Sequence, residues 1–275
     1  MPEGHTLHRL ANALDGAFGR GTPEISSPQG RFAEGASLLD GTVLERSWAH
    51  GKLLFVDFAD ERTLYVHLGL IGKWFVLPVP QPGAVPPVAG EVRLRVLDEH
   101  HVADLRGPMA CQVIDPVEVS RLVARQGPDP LQPGQDPDVA YDRIAHSGRT
   151  VAELLMDQTV VAGVGNIYRC EVLWRHRVHP LHPGRRLRRA TWQLIWDDLV
   201  ELMPWGVRTG SIITLDDVLD DVRSRLQAGE AVEVPREFAV YQRAGEPCLR
   251  CGSRVRHKVV AGRNLFWCGN CQRRT

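Results

Sequence analysis

The stretch CLRCGSRVRHKVVAGRNLFWCGNC, residues 248–271, carries two Cys-x2-Cys pairs that sixteen residues separate. Each pair offers two thiolates from one tight turn, and a hairpin between the pairs would bring the four sulfurs together. A closed four-cysteine site has no open position for a substrate. The spacing therefore predicts one structural Zn²⁺ held by Cys248, Cys251, Cys268 and Cys271. Two disulfide bonds are the alternative, which a cytoplasmic chain disfavours.

The segment between the cysteine pairs is basic and reads as a hairpin. Its turn, AGRN, predicts that Arg263 lies at the hairpin tip, where a planar guanidinium suits a phosphate group. A segment this short cannot bury a core, so we expect the metal to supply its folding free energy. Cys111 and Cys170 have no partner at a useful spacing and are interpreted as ordinary buried cysteines.

Charge is unevenly distributed along the 275 residues. The formal net charge is +0 at pH 7, yet the chain from Cys248 onward has seven Lys and Arg residues and no Asp or Glu. A second basic block, RHRVHPLHPGRRLRRA, covers residues 175–190. Such segregation is typical of a protein with one anion-binding side. No apolar run reaches membrane-spanning length, and the acidic third residue disfavours a secretory leader, so we expect a cytoplasmic, nucleoid-associated protein without membrane contact.

Upstream of the cysteines the apolar pattern is helical, from about residue 139 to residue 227. Within it, DQTVVAGVGNIYRCE (157–171) places a glycine-rich turn before an apolar run, and Asn166 is predicted to cap the following helix. The N–H groups of that helix could bind one phosphate, whereas a plain helix–turn–helix connection is the alternative.

The first 125 residues are β-rich after one amphipathic helix that ends near Phe18. The stretches 42–58, 62–77 and 91–105 predict strands, and a proline-rich loop, residues 78–90, interrupts them. The pattern predicts an α+β chain with a β-rich N-terminal domain (1–125), a helical second domain (126–240) and a small cysteine-bearing C-terminal segment (241–275). The proline-rich stretch 126–138 is interpreted as the interdomain linker.

The chain begins MPEGHT, with a proline and a glutamate ahead of the first helix. Initiator methionine is normally removed before a small residue, and removal would leave Pro2 with a free secondary amine beside the carboxylate of Glu3. An α-amine has a pKa near about 8, so part of it is uncharged at neutral pH. The pattern favours a nucleophile with its acid, although a plain first-turn acid is the alternative for Glu3.

Together, MPEG, HGKLL (50–54), the turn AGVGNIY and the cysteine hairpin resemble the formamidopyrimidine-DNA glycosylase and endonuclease VIII family. The motifs keep the family's order and cover essentially the whole chain. The resemblance implies that the three parts are an N-terminal β-sandwich domain, a helical helix-two-turn-helix domain and a four-cysteine zinc finger. It also implies a bifunctional DNA glycosylase (a hydrolase) and abasic-site lyase of base excision repair. It implies that Pro2 forms a Schiff base, that Glu3 is the general acid/base, that Lys52 binds phosphate and assists the lyase step, and that Arg263 clamps the phosphate beside the lesion.

The same resemblance implies four DNA-binding residues. Asn166 would hold the same phosphodiester as Arg263, and Arg125, in RQGPD, matches an arginine of the endonuclease VIII branch. Leu70, beside Ile71 in HLGLIGKW, lies in the family's wedge region, although two ordinary strand residues are the alternative. Arg106, in DLRGPM, matches the arginine of an arginine–phenylalanine wedge whose phenylalanine is missing here.

These departures, with Thr6 where many members have a second glutamate, favour the endonuclease VIII branch and oxidised pyrimidines. We expect a monomer that acts on damaged double-stranded DNA and needs no nucleotide cofactor. The alternative function is a non-catalytic zinc protein that binds damaged or abasic DNA, which predicts salt-sensitive binding without a covalent intermediate. A zinc-ribbon adaptor between proteins would leave the MPEG start unexplained.

Overall fold

The computed structural model describes residues 2–273, which divide into two compact units at the boundary between Arg125 and Gln126. The predicted removal of Met1 and the last basic residue, Arg274, lie outside the described residues. Among the described residues, no helix is both long enough and apolar enough to cross a membrane.

The first unit is a sandwich of two four-stranded antiparallel sheets, as the family resemblance implied. The sheet orders are β1-β6-β7-β5 and β2-β3-β4-β8. Its helices and strands are α1 (Gly4–Phe18), β1 (Glu24–Ser26), α2 (Ala33–Leu39), β2 (Leu44–His50), β3 (Leu53–Phe58), β4 (Arg62–His67), β5 (Lys73–Pro78), β6 (Leu94–Leu97), β7 (His101–Arg106), β8 (Ala110–Ile114) and α3 (Pro116–Ala124).

Apolar periodicity explains how α1 packs on the sandwich. Leu7, Leu10, Leu14 and Phe18 follow one another at helical spacing, and all four side chains are buried in the core that the two sheets share. The helix packs mainly against β2. This apolar stripe determines which side of α1 faces β2. It thereby fixes the orientation of the helix that begins next to the N-terminus of the chain.

All three stretches predicted as strands are hairpins or broken strands in the structure, and residues 91–105 turn back between β6 and β7. Residues 42–58 turn at Gly51 and Lys52, between β2 and β3, and residues 62–77 are interrupted by a loop between β4 and β5. The proline-rich loop is anchored, because the buried Arg95 donates to the carbonyl of Pro86 (2.6 Å) and pairs with Asp104 (2.8 Å).

The second unit is helical and ends in a two-stranded hairpin. Its parts are α4 (Pro137–Ala145), α5 (Val151–Leu154), α6 (Asn166–Arg175), a 3₁₀ turn (Gly184–Arg186), α7 (Arg189–Thr209), α8 (Asp216–Gln227), β9 (Val255–Val260) and β10 (Arg263–Cys268). Strand β10 packs on α6, so the hairpin shares the helical core on one side. The region predicted helical around residues 150–158 contains only the single turn of α5.

The predicted linker is partly integral to the second unit. Residues 127–130 are buried, and the Gly127 N–H donates to the carbonyl of Gln158 (2.8 Å). A Cβ atom at Gly127 would lie 2.2 Å from the carbonyl oxygen of Val160, so only glycine fits there. The linker interpretation is therefore wrong for these four residues, whose backbone packs against the glycine-rich turn.

Candidate active site and zinc centre

The N-terminus of α1 presents a carboxylate beside a proline. Glu3 is the N-cap residue of α1, its carbonyl accepts from the Thr6 N–H (2.9 Å), and the residue is fully buried. Pro2, directly before it, is half-buried. The N-terminal end of a helix favours negative charge, so this position suits a carboxylate that stays ionised or exchanges a proton with a neighbouring group.

Antiparallel packing carries this end of α1 toward the β2–β3 turn. The Arg20 N–H donates to the Leu44 carbonyl (2.6 Å), and the Ser47 N–H donates to Asp15 Oδ1 (2.8 Å), so the end of α1 lies at the start of β2. A fifteen-residue helix spans about 22 Å and β2 about 20 Å. Glu3 therefore lies at the end of β2 that leads into Lys52.

Lys52 occupies the turn between β2 and β3, beside the end of β4. Burial, together with the nearby charge of Lys52, lowers the pKa of His67 below its ordinary value. His67 Nδ1 accepts from the Gly69 N–H (3.1 Å), which begins the β4–β5 loop. The turn and the loop thus lie at one end of the same sheet, and Lys52 is close enough to His67 for its charge to act on the imidazole.

The β4–β5 loop presents apolar side chains to solvent. Leu70 is 55% exposed and Ile71 is 79% exposed, so the interpretation of both as ordinary strand residues is wrong. Met109, just before β8, is 71% exposed and packs beside Gly69. Large apolar side chains on a loop tip have no role in the core, and such side chains are the kind that fill the gap left by a displaced base.

Arg106 and Arg125 have different surroundings. Arg106, at the end of β7, pairs with Asp104 (3.0 Å) and donates to the Ala89 carbonyl (3.1 Å). It therefore helps to fix the proline-rich loop. Arg125 is the exposed C-cap residue of α3 and is the last residue of the first unit.

Asn166 is the first residue of α6, and Gly165 is the N-cap. The prediction that Asn166 caps the helix is therefore wrong. Its amide instead donates to the carbonyl of Asn264 (2.8 Å), and its side-chain oxygen accepts from the buried Arg169. Arg169 also donates to Asn264 (3.2 Å) and to the carbonyl of Ala152 (3.3 Å). A buried polar network thus ties α5 and α6 to the hairpin residue next to Arg263.

Arg263 lies at the tip of the β9–β10 hairpin, as the sequence predicted. It pairs with Val260 across a two-residue turn, Ala261 and Gly262, whose φ angles are 48° and 72°. Two positive φ angles match the twist of a tight hairpin. The side chain is half-buried. Asn166 and Arg263 are therefore brought together through Asn264, in a frame that backbone hydrogen bonds and Arg169 make rigid.

The four predicted ligands form one cluster. All four sulfurs lie within 4.8 Å of one another, with Cys251 and Cys268 3.5 Å apart and Cys248 and Cys271 4.0 Å apart. A tetrahedral site with Zn–S bonds of about 2.3 Å needs sulfurs separated by about 3.8 Å. The spacing fits, and the site holds one structural zinc ion.

Hydrogen bonds around the cluster lower the pKa of Cys248 and Cys251, whereas burial raises the pKa of Cys268 and Cys271. Trp174 Nε1–H donates to Cys248 Sγ (3.3 Å), and the Cys271 N–H donates to Cys268 Sγ (3.4 Å). Hydrogen bonds from Ser253 and Asn270 lower the pKa of Cys251 to about 5. By contrast, burial raises the pKa of Cys111 to about 12 and that of Cys170 to about 11, so both remain thiols as predicted.

Glu171 is a structural anchor that sequence reasoning missed. It is fully buried in α6 and accepts from Thr214 Oγ1 (3.0 Å) and from the backbone N–H groups of residues 239–241 (2.8 to 2.9 Å). Four donors compensate the burial that raises the pKa of this carboxyl. Its contacts fix the segment that leads into the zinc hairpin. No local pattern signals them, because the partners are 43 to 70 residues away.

Comparison with known proteins places these features in one family. Residues 1–111 match the formamidopyrimidine-DNA glycosylase N-terminal domain, residues 126–217 its H2TH domain, and residues 245–274 the zinc finger found in FPG and IleRS. The chain is 47% identical over 273 residues to "Endonuclease 8 1" of Mycobacterium tuberculosis, covering 99% of this chain and 100% of that protein. It is 27% identical over 278 residues to "Endonuclease 8" of Escherichia coli, covering the same shares.

Solved structures show the same fold. A complex of Lactococcus lactis Fpg with DNA that contains an abasic site has a TM-score of 0.79 at 23% identity, covering 99% of this chain and 100% of that chain. A non-catalytic DNA-binding function is not favoured by these relationships. The chain belongs to the formamidopyrimidine-DNA glycosylase family, and it is a DNA glycosylase with abasic-site lyase activity that acts in base excision repair.

Proposed function

We propose that this glycosylase and lyase acts through a Schiff base on Pro2, with Glu3 as general acid/base and oxidised pyrimidines and abasic sites as substrates. The observation that carries the proposal is the fully buried Glu3 next to Pro2, at the end of α1 that the antiparallel packing directs toward Lys52. Carboxylates are almost never fully buried unless they have partners, and a buried carboxylate beside a potential nucleophile is a candidate for catalysis.

The chemistry follows from a secondary amine. The Pro2 nitrogen attacks C1′, the glycosidic bond breaks, and the base leaves with its bonding electrons and takes up a proton. Glu3 protonates the ring oxygen as the sugar opens, which leaves an iminium ion at C1′. That cation accepts the electrons from C2′ when a proton is removed there, so that the C3′–O bond breaks. A second elimination breaks the C5′–O bond.

Cations would hold the phosphates through both eliminations. Lys52 is positioned by a hairpin turn within a four-stranded sheet, and Arg263 by a turn whose neighbour, Asn264, is bonded to Asn166. Charge-assisted hydrogen bonds from these groups stabilise the negative charge of the leaving phosphates. Arg125, exposed at the end of α3, is proposed to add a further DNA contact.

The exposed loop would compensate for the displaced nucleotide. Extrusion of a base costs a few kcal/mol, and an apolar wedge that stacks in the gap recovers part of that cost. Leu70 and Ile71 are the exposed side chains that suit this role. Arg106 is assigned a supporting role here, because its guanidinium already pairs with Asp104.

Similarity supports the substrate class. The relatives at 47% and 27% identity are both named endonuclease 8, and DLRGPM lacks the phenylalanine of the purine-directed wedge. A solved Lactococcus lactis Fpg complex contains oxidised pyrimidine DNA. The proposed catalytic and DNA-binding residues all come from the two units of one chain. We therefore propose that the enzyme acts as a monomer and without a nucleotide cofactor.

Borohydride trapping on a duplex with one abasic site tests the proposal. The wild-type protein, confirmed to start at Pro2, should give a covalent complex, and Pro2→Gly should greatly weaken it. A second variant with one extra N-terminal residue converts the Pro2 nitrogen into an amide, and it should trap much less DNA than the wild-type protein. Equal trapping by the extended variant would refute the role of Pro2. A panel of oxidised bases then ranks pyrimidines against purines.

A further inference from the structure

A basic cleft lies between the segment after α6 and the cysteine knuckles of the zinc hairpin. We call it the knuckle cleft, and its basic lining residues are five arginines and three histidines: Arg177, Arg186, Arg188, Arg250, Arg273, His176, His179 and His182. Its volume is about 840 Å³, within the range of about 300–1,000 Å³ typical of sites for whole ligands, so it exceeds what one small anion needs. Among the described residues, no Asp or Glu lines it.

Some of these basic side chains already have partners. His176 pairs with Asp198 (3.0 Å), the Arg250 guanidinium stacks on Trp174 (4.1 Å to the ring centroid), and Arg273 is bonded to Asn270 (3.1 Å). Arg177, Arg186 and Arg188 are exposed and make no ion pair within residues 2–273. Three guanidinium groups therefore face the cleft without an acidic partner.

The zinc site does not account for this excess charge. One Zn²⁺ bound by four thiolates has a net charge of about −2, and two neighbouring cations neutralise it. Arg250 and Arg273, which flank the cysteine knuckles in sequence, suffice for that purpose. The remaining three arginines come from the other wall of the cleft and concentrate positive potential there.

The backbone at Arg177 has a left-handed conformation. Arg177 follows α6 with φ 56°, and hydrogen bonds from its N–H to Trp174 (3.1 Å) and from Val178 to Leu173 (2.9 Å) form a Schellman motif. Glycine is the residue that this position favours, because it has no Cβ to strain. Arginine occupies this position at a cost in backbone strain, and its side chain lines the knuckle cleft.

The cleft lies away from the proposed damage contact of this unit. It adjoins the far end of β10, whose six residues span about 17 Å from Arg263 to Cys268. Phosphates on one DNA strand recur about every 3.4 Å, so that distance corresponds to about five nucleotides. The guanidinium group of arginine matches the geometry of a phosphate group. Because the enzyme binds DNA, DNA phosphates are the anions that these arginines would meet.

We propose that the knuckle cleft binds the phosphate backbone of DNA outside the damaged nucleotide, through Arg177, Arg186 and Arg188. The DNA is either the flank of the damaged duplex or a second duplex. The proposal rests on DNA binding by the enzyme and not on the chemistry of Pro2, so borohydride trapping on a short duplex remains an independent readout.

The test compares abasic duplexes of about 9 and about 40 base pairs by fluorescence anisotropy over a salt series. The triple variant Arg177→Gln/Arg186→Gln/Arg188→Gln should bind the long duplex about tenfold more weakly than wild type, with a salt slope reduced by about 2 to 3. Binding and trapping on the short duplex should stay unchanged. Arg185→Gln is the matched control, since Arg185 lies in the same 3₁₀ turn but reaches Gly148 instead of the cleft.

Arg177→Gly separates binding from folding. Glycine relieves the backbone strain, so thermal stability should be equal or higher, whereas affinity for the long duplex should fall. A second-duplex source is tested by whether enzyme trapped on a short duplex retains an undamaged duplex on beads, and whether the triple variant does not. The proposal is overturned if the triple variant matches wild type both in affinity for the long duplex and in retention of a second duplex. It is also overturned if the triple variant loses as much affinity for the short duplex as for the long one.

Discussion

Two hairpins carry the two cations proposed to grip phosphate, and they are stabilised in different ways. The β2–β3 hairpin, with Lys52 in its turn, is part of a four-stranded sheet, and β3 is almost wholly buried. The β9–β10 hairpin, with Arg263 after its turn, is a sheet of two strands, and β9 is mostly exposed. The first depends on a hydrophobic core, whereas the second depends on a metal and on one packed strand. Phosphate binding by Lys52 is therefore sensitive to loss of core packing, and phosphate binding by Arg263 is sensitive to loss of zinc.

Loss of zinc should have the largest effect and should be confined to the second hairpin. Structural zinc contributes about 10 kcal/mol or more of apparent binding free energy in isolated fingers. Cys268→Ser should release the metal and abolish DNA binding, while the thermal transition of the first unit persists. Metal analysis, calorimetry and anisotropy measure this. Cys170→Ser, a buried cysteine outside the cluster, is the control and should keep one zinc. Full DNA affinity in zinc-free protein would contradict the claim that the β9–β10 hairpin depends on the metal.

Loss of either cation should slow strand cleavage to a similar degree. Lys52→Gln and Arg263→Gln should each lower the single-turnover lyase rate by about 100-fold, a typical loss for one electrostatic group at a reacting centre. Lys258→Gln is the matched control, because Lys258 lies in the stem of the same zinc hairpin, paired with Leu265. A comparable loss in Lys258→Gln would mean that the lyase rate depends on overall positive charge and not on the positions of Lys52 and Arg263.

The anchor behind the zinc hairpin should have a smaller effect. Glu171→Gln turns an amide NH₂ toward buried N–H donors, so we expect a loss of about 2 to 3 kcal/mol from the free energy of unfolding of the second unit. Urea denaturation measures it. Glu201→Gln, at an exposed ion pair with Arg223, should cost about 0.5 kcal/mol or less. Similar losses of unfolding free energy in both variants would contradict the role of Glu171 as an anchor of the second unit.

Acid should weaken the first unit through His5. Burial, with the charges of His8 and Arg9, lowers the pKa of His5 to about 4, so the folded state stays unprotonated when the unfolded chain takes up a proton. Stability is therefore full above about pH 6.5 and falls as the pH drops toward 4, by about 2 kcal/mol at pH 5. The loss of stability between pH 7.5 and pH 5 should be about 2 kcal/mol smaller in His5→Gln. An unchanged pH dependence in the variant would contradict this.

Local patterns predicted the parts of the site that depend on local geometry. The cysteine spacing gave the zinc cluster, and AGRN gave the position of Arg263, because a turn and its two neighbours decide both. The first helix and the β-rich character of the first unit followed from apolar periodicity, whereas the sandwich followed from the family resemblance. In each case the residues that decide the structure are close in sequence.

Contacts between distant residues account for what the sequence did not predict. Asn166 was assigned to a cap, but its partner Asn264 is 98 residues away. Arg169 lies in an apolar run that gave no hint of a buried network reaching the hairpin. The exposed loop of Leu70 and Ile71 looked like strand, since apolar composition does not show where a chain leaves a sheet.

The most direct test of the central claim is to map the site of the borohydride crosslink by mass spectrometry. The chain has only three lysines, Lys52, Lys73 and Lys258, so the amines that could form a Schiff base are these and the N-terminus. The account predicts the reduced sugar adduct on the nitrogen of Pro2, in the N-terminal peptide. An adduct on the peptide containing Lys52, with Pro2 unmodified, would contradict it.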